Sequence, residues 1–171
     1  MASFRLWHPS RDAYHCAFRF MRLLVAKNGT LEIERLRILD MYLLYPSLLH
    51  KASMPQDTKK LFRELAIAAP DKIFVRLPSS AAVFQDLRLY QNSAITQLMA
   101  RGLFSTDDLK RRIASPPNAG WPDQLVQRAQ NKNAEDGGLT SFLVGTFSEI
   151  PLTGRDSIYR KAGLPTRSIA T

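Results

Sequence analysis

The stretch from Thr30 to Pro46, T-L-E-I-E-R-L-R-I-L-D-M-Y-L-L-Y-P, constrains the fold more than any other part of the chain. The Asn28-Gly29 turn precedes it and Thr30 is placed to accept a hydrogen bond from a free amide as N-cap. Glu32 and Glu34 sit where the helix dipole favours negative charge, and Pro46 stops the run. Ile33, Leu36, Leu39 or Asp40, and Leu43 recur at helical spacing on one face, while Glu32 reaches Arg35 and Glu34 reaches Arg37 on another. From Ile38 to Tyr45 almost every side is apolar, so this half is surrounded by protein, with Asp40 as the one charge inside it. A bare carboxylate there costs several kcal/mol. Asp40 therefore needs a partner, with Arg19 and Arg22 the candidates, or lies at an edge that another chain covers.

Such a helix needs other elements to bury it, and 171 residues with 45% hydrophobic content are enough for a sizeable core. The fold class expected is mainly α. Residues 1–115 read as a helical domain with a winged helix-turn-helix-like core, residues 116–120 as a linker, and residues 121–171 as a smaller helical C-terminal extension. The linker is Pro116-Pro117-Asn118-Ala119-Gly120, which continues neither helix nor strand.

Ahead of the central helix, Pro9 keeps His8 extended, and Phe4, Leu6 and Trp7 need apolar surroundings. Ser10 or Asp12 starts a helix to about Lys27, with Tyr14, Phe18, Met21 and Val25 as its apolar stripe. Arg11, His15 and Arg22 fall on an adjacent stripe with Arg19 beside them. Two readings of it stand: a solvated face or partners for Asp40, and a nucleic-acid contact.

After the central helix, Asp57 caps a helix over about Thr58–Ala68. Ile73–Leu77 reads as a short strand or a last helical turn. A helix from Ser79 or Ser80 to Tyr90 is followed by a second from Ala94 to Arg101, closed by Gly102. Short helix, turn at Gln91–Ser93, second helix, glycine and apolar strand is the order of a winged helix-turn-helix. Lys110, Arg111 and Arg112 then form a short basic helix or the arm of a wing. Beyond the linker, a helix runs from Trp121-Pro122-Asp123 to about Asn133, and an apolar segment covers Leu139–Ile150.

No catalytic pattern emerges. His8, His15 and His50 have no second ligand at metal spacing, and no phosphate-cradling glycine loop or G-x-S-x-G elbow is present. Cys16, the single cysteine, reads as a core residue, rules out an internal disulfide and suits a reducing cytoplasm. Neither a secretory leader nor a membrane span is visible. The expectation is a cytoplasmic protein that is not an enzyme and takes no cofactor, metal or small-molecule substrate. A net charge of +9 favours an anionic partner, with Arg11, Arg22, Lys110, Arg111 and Arg112 the candidates for non-specific DNA contact.

Three stretches carry a resemblance to a known family. They are R-L-W-H-P-S-R-D-A-Y-H from Arg5, E-R-L-R-I-L-D-M-Y-L-L-Y-P from Glu34, and F-Q-D-L-R-L-Y-Q-N-S-A-I-T-Q-L-M-A-R-G-L-F from Phe84. The chain resembles the small middle components of bacterial three-component ABC-ATPase systems. That resemblance implies an adaptor linking an SMC-like or RecN-like ATPase to an effector, often a nuclease, in defence against phages and plasmids, as in Lamassu-type systems. Trp7, Asp40, Tyr42, Tyr45 and Pro46 are the candidates for partner contact. The competing function is a free-standing winged-helix DNA-binding transcriptional regulator. Its recognition helix, Ala94–Ala100, would offer base edges little beyond Thr96 and Gln97, with Gln91 and Asn92 nearby.

Overall fold

A computed structural model describes residues 8–70 and 78–165. Trp7 and the Ile73–Leu77 segment lie outside the described residues. The fold is mainly helical: α1 Ala13–Lys27, α2 Ile33–Leu44, α3 Gln56–Glu64, α4 Ser80–Ala100, α5 Thr106–Lys110, α6 Asp123–Ala134, α7 Leu139–Val144 and α8 Ile158–Lys161. Two short strands join them, β1 Leu31–Glu32 and β2 Ile113–Ala114.

Asp12 opens α1 as expected, its Oδ1 accepting from the amides of Tyr14 at 2.8 Å and His15 at 3.2 Å. The buried face is turned from the expected stripe, which contributes Met21 to it and leaves Phe18 and Val25 half-buried. Cys16, Phe20, Leu23 and Leu24 are fully enclosed whereas Tyr14 is 63% exposed. The cause is electrostatic, since Arg19 and Arg22 are drawn inward by carboxylates on other elements.

Thr30 does not cap α2. The chain first pairs antiparallel as β1 with β2, Leu31 opposite Ala114 and Glu32 opposite Ile113, and only then turns helical. The first amide of α2, on Ile33, donates to the Arg112 carbonyl at 2.9 Å, so a strand end satisfies the donor that a cap would have taken. α2 is buried from Ile33 to Leu43 except at Glu34. Pro46 ends it and opens a 3-10 turn, Pro46–Lys51.

The expected helix-turn-helix does not form. α4 is one continuous helix of 21 residues from Ser80 to Ala100, capped by Ser79. Residues 91–93 contain neither glycine nor proline, and tertiary bonds made by Gln91 and Asn92 hold them helical. Gly102 terminates the helix at φ +66°, where only glycine is unstrained, and the Leu103 amide returns to the Leu98 carbonyl at 2.8 Å.

Pro116–Gly120 is a loop, and beyond it the chain returns to the same core. The Trp121 indole donates to the Leu103 carbonyl at 2.7 Å, and α6 and α7 lie against α1. Phe142, Leu143, Val144, Phe147 and Ile150 complete the hydrophobic cluster built by α1, α2 and α4.

Candidate functional site

Asp40, in the third turn of α2, is wholly enclosed. Arg19 grips it in fork geometry, Nε to Oδ1 at 2.6 Å and Nη2 to Oδ2 at 3.2 Å. Gln91 of α4 donates from Nε2 to the same Oδ2 at 2.9 Å and to the Arg37 carbonyl at 3.1 Å, and the Cys16 thiol approaches Oδ2 at 3.7 Å. The carboxylate thereby joins α1, α2 and α4 at one point. Arg19 Nη1 also donates to the Pro9 carbonyl at 3.3 Å, which ties the N-terminal turn to it.

The charges around this point follow from burial. Burial opposes the Arg19 charge, but the Asp40 carboxylate outweighs it and raises the guanidinium pKa. Burial, reinforced by Asp40, pushes the Cys16 thiol far up, so it stays protonated. Gln91 is 1% exposed, and its Oε1 has no hydrogen-bond partner among the described residues.

A second buried cation bridges the two sides of the Pro116–Gly120 loop. Arg22, a candidate both for DNA contact and for pairing with Asp40, is 8% exposed and pairs with Asp136 instead of Asp40. Its Nε donates to Asn133 Oδ1 at 2.9 Å and its Nη2 to Asp136 Oδ2 at 2.8 Å, while Asn133 Nδ2 returns a bond to the Arg22 carbonyl at 3.0 Å. Burial lowers its pKa, with Asp136 opposing. The guanidinium is occupied inside the protein and presents nothing to a phosphate. Arg35 does similar work, donating to the carbonyls of Ser148 and Ile150 and to Glu32.

Two residues expected to touch a partner are likewise interior. Asp40 and Tyr42 have no exposed surface, because α2 is covered on every side from Arg35 to Leu43, and the Tyr42 ring meets Phe147 edge-on at 5.2 Å. Tyr45 and Pro46 are half-buried at the end of α2, with the His8 ring stacked on Tyr45 at 6.4 Å. They are the members of the expected partner set that keep surface among the described residues.

The basic triplet is exposed but paired. Lys110 bonds Asp107 at 3.1 Å, Arg111 bonds Asp108 and Arg112 bonds Glu34. A hydrogen bond from the Ser115 hydroxyl, with Arg111, holds the Asp108 carboxyl below its usual range. Arg11 is exposed. Other cations have no carboxylate partner among the described residues: Lys51, Lys59, Lys60 and Arg63 around α3, and Arg88 on α4. In the sequence they are scattered, with no uninterrupted run among them longer than Lys59-Lys60 to mark them.

Among the described residues, two of the surface clefts bear on these charges. One, of about 230 Å³, lies over the Asp40 interior and is lined by Glu34, Arg37, Phe84, Arg88, Gln91 and Tyr159 among others. Glu34 is the hub of its wall, accepting from Arg112 and, at 3.3 Å, from the Tyr159 hydroxyl. The other, of about 290 Å³, lies between the 3-10 turn and α3. Among the described residues no helix is long and apolar enough to cross a membrane, and no group of three or more His, Cys, Asp or Glu could hold a metal ion.

A family model described as ABC-three component (ABC-3C) system Middle Component 5 matches residues 5–167. No curated protein and no solved structure matches the chain.

Proposed function

From the premise that the chain belongs to the ABC-3C system Middle Component 5 family, we propose that it is a non-catalytic adaptor that links an SMC-like or RecN-like ABC ATPase to a nuclease-like effector. A middle component of a multi-component system has protein partners, and the setting proposed is a cytoplasmic, Lamassu-type defence against phages or plasmids. The observation that carries the adaptor reading is the state of the reactive side chains. Asp40, Arg19 and Cys16 are bonded to one another and to Gln91 inside the core, where they fix three helices and face no cleft as a free acid, base or nucleophile. Unpaired cations and two clefts remain on the outside, where a partner would meet them.

DNA contact in this reading is weak and independent of sequence. Lys110, Arg111 and Arg112 share their charge with neighbouring acids, which leaves Arg11 and Arg88 as the stronger phosphate ligands. The free-standing regulator has less support, because the segment that would supply its helix-turn-helix is the uninterrupted α4.

Co-expression with the ABC ATPase and the effector of the same three-component system tests the proposal. A stable complex containing all three proteins is expected, with no hydrolysis of nucleotide or nucleic acid by the purified subunit alone. An isolated subunit that ignores both proteins and binds one duplex sequence with salt-resistant affinity overturns it.

A further inference from the structure

The cleft between the 3-10 turn Pro46–Lys51 and α3 has an apolar floor and a basic rim. Leu49, Ala52, Met54, Phe62, Ala66 and Ile67 line it, with His50, Lys59 and Arg63 as its polar members, and among the described residues no acid lines it. The floor is well fixed. The His50 ring meets Phe62 edge-on at 4.9 Å, its Nε2 pairs with the Ile67 carbonyl at 2.9 Å, and Phe62 rests on Phe142 in the core.

Helical spacing sorts the charges of α3. Lys59 and Arg63 are four residues apart, on the face that carries Phe62, while Asp57, Leu61 and Glu64 recur on the opposite face. Neither Lys59 nor Arg63 has a carboxylate partner among the described residues, and Lys51 and Lys60 flank them without one. This contrasts with Arg19, Arg22, Arg35 and Arg112, each of which is paired with an acid inside the chain.

The end of α3 adds strain at the same place. Ala66 lines the cleft at φ +50°, a left-handed conformation that disfavours any residue with a Cβ. The backbone is held there by the Ala66 amide donating to the Arg63 carbonyl at 3.2 Å, and the turn closes the far wall of the groove.

We propose that this groove docks an acidic amphipathic helix of the partner ABC ATPase. One large apolar side chain enters over Met54, Phe62 and Ile67, and carboxylates one turn to either side meet Lys59 and Arg63. This rests on the adaptor reading. A coiled-coil ATPase of the SMC-like type is the source that fits, because the e and g positions of its helices set acids beside the apolar a and d positions, and a segment where that seam is unpaired presents both. Nucleic acid satisfies the rim alone: a phosphate backbone brings nothing to the apolar floor. A second copy of this chain would have to bring the Asp57, Leu61 and Glu64 face of its own α3.

The test uses the full chain with the ATPase. Photo-cross-linking from p-benzoylphenylalanine at Met54 is expected to label the ATPase in a segment rich in Asp, Glu and Leu. The double variant Lys59→Glu, Arg63→Glu is expected to weaken binding about tenfold or more at low salt, with charge reversal in the labelled ATPase segment restoring it. Both side chains are exposed, so its thermal melt stays close to that of the parent; if it does not fold, Lys59→Ala with Arg63→Ala gives the same readout with a smaller loss. Cross-links to the effector, to DNA or to a second copy overturn the proposal, and so does undiminished binding by the reversed variant. If the parent chain binds no ATPase, the adaptor reading fails along with it; if the complex forms and only the groove variants are silent, the groove alone is wrong.

Discussion

Two parts of this molecule handle basic residues in opposite ways. Around α1 and α2, four arginines are buried and paired: Arg19 with Asp40, Arg22 with Asp136, Arg35 with Glu32 and Arg37 with Glu34. Around α3, Lys51, Lys59, Lys60 and Arg63 stand in solvent with no carboxylate partner among the described residues. The difference teaches that a net charge of +9 is not evenly available to partners. Part of it is inside, converted into bonds between elements, and the rest is unevenly spread outside. Arginine suits the interior because its planar fork satisfies two carboxylate oxygens at once, as Arg19 does for Asp40, while lysine is a hydrated point charge better left exposed.

The contrast breaks most sharply at Asp40. Asp40→Ala orphans the Arg19 guanidinium and the Gln91 amide inside the core, and about 3 to 5 kcal/mol of stability is expected to be lost, read by chemical denaturation. Alkylation of Cys16 gives a second readout. In the parent it should proceed only as fast as the protein opens, because burial keeps the thiol protonated, and in Asp40→Ala it should accelerate. A variant with unchanged stability and thiol reactivity would mean that the Asp40 junction holds nothing together.

Arg22→Ala comes next. It strands Asp136 and Asn133 where α6 and α7 meet α1, at an expected cost of about 2 to 3 kcal/mol, with hydrogen exchange rising first in residues 123–144. If the loss instead appears only as weaker DNA binding at unchanged stability, Arg22 belongs with the exposed cations and the division drawn here is misplaced.

Tyr42→Phe sharpens the interior half. The hydroxyl has no hydrogen-bond partner among the described residues and burial raises its pKa, so removing it should increase stability by about 1 kcal/mol while the ring keeps its edge contact with Phe147. A loss of similar size would reveal a bonded hydroxyl.

The smallest effects belong to α3. Lys59→Ala and Arg63→Ala should each change stability by no more than about 0.5 kcal/mol, and Ala66→Gly should raise it by about the same amount by relieving a left-handed alanine. A large loss in either lysine or arginine variant would show that α3 depends on its charges and that the two regions are alike after all.

The sequence made the helical class legible, along with the start of α1 at Asp12, the stop of α2 at Pro46 and the end of α4 at Gly102, because each rests on local backbone chemistry. It also marked Asp40 as a buried charge that needs a partner, and Arg19 as a candidate for the role. Only the tertiary structure decided the rest. Thr30 lost its capping role because β2 reaches β1 from more than eighty positions away in the chain, which local patterning cannot register. The turn expected at Gln91–Ser93 vanished because Asp40, the Arg37 carbonyl and the Arg37 guanidinium bond to α4 there, outweighing the weak helix preference of Asn92 and Ser93. Asp136 stands before Gly137-Gly138, a turn sequence, yet its hold on Arg22 depends on α6 and α7 folding back along α1. Which basic residues are buried was settled in the same way: Arg19 and Arg22 are interior because folding closes other elements over them with a carboxylate in place, whereas Arg112, also paired with an acid, stays exposed.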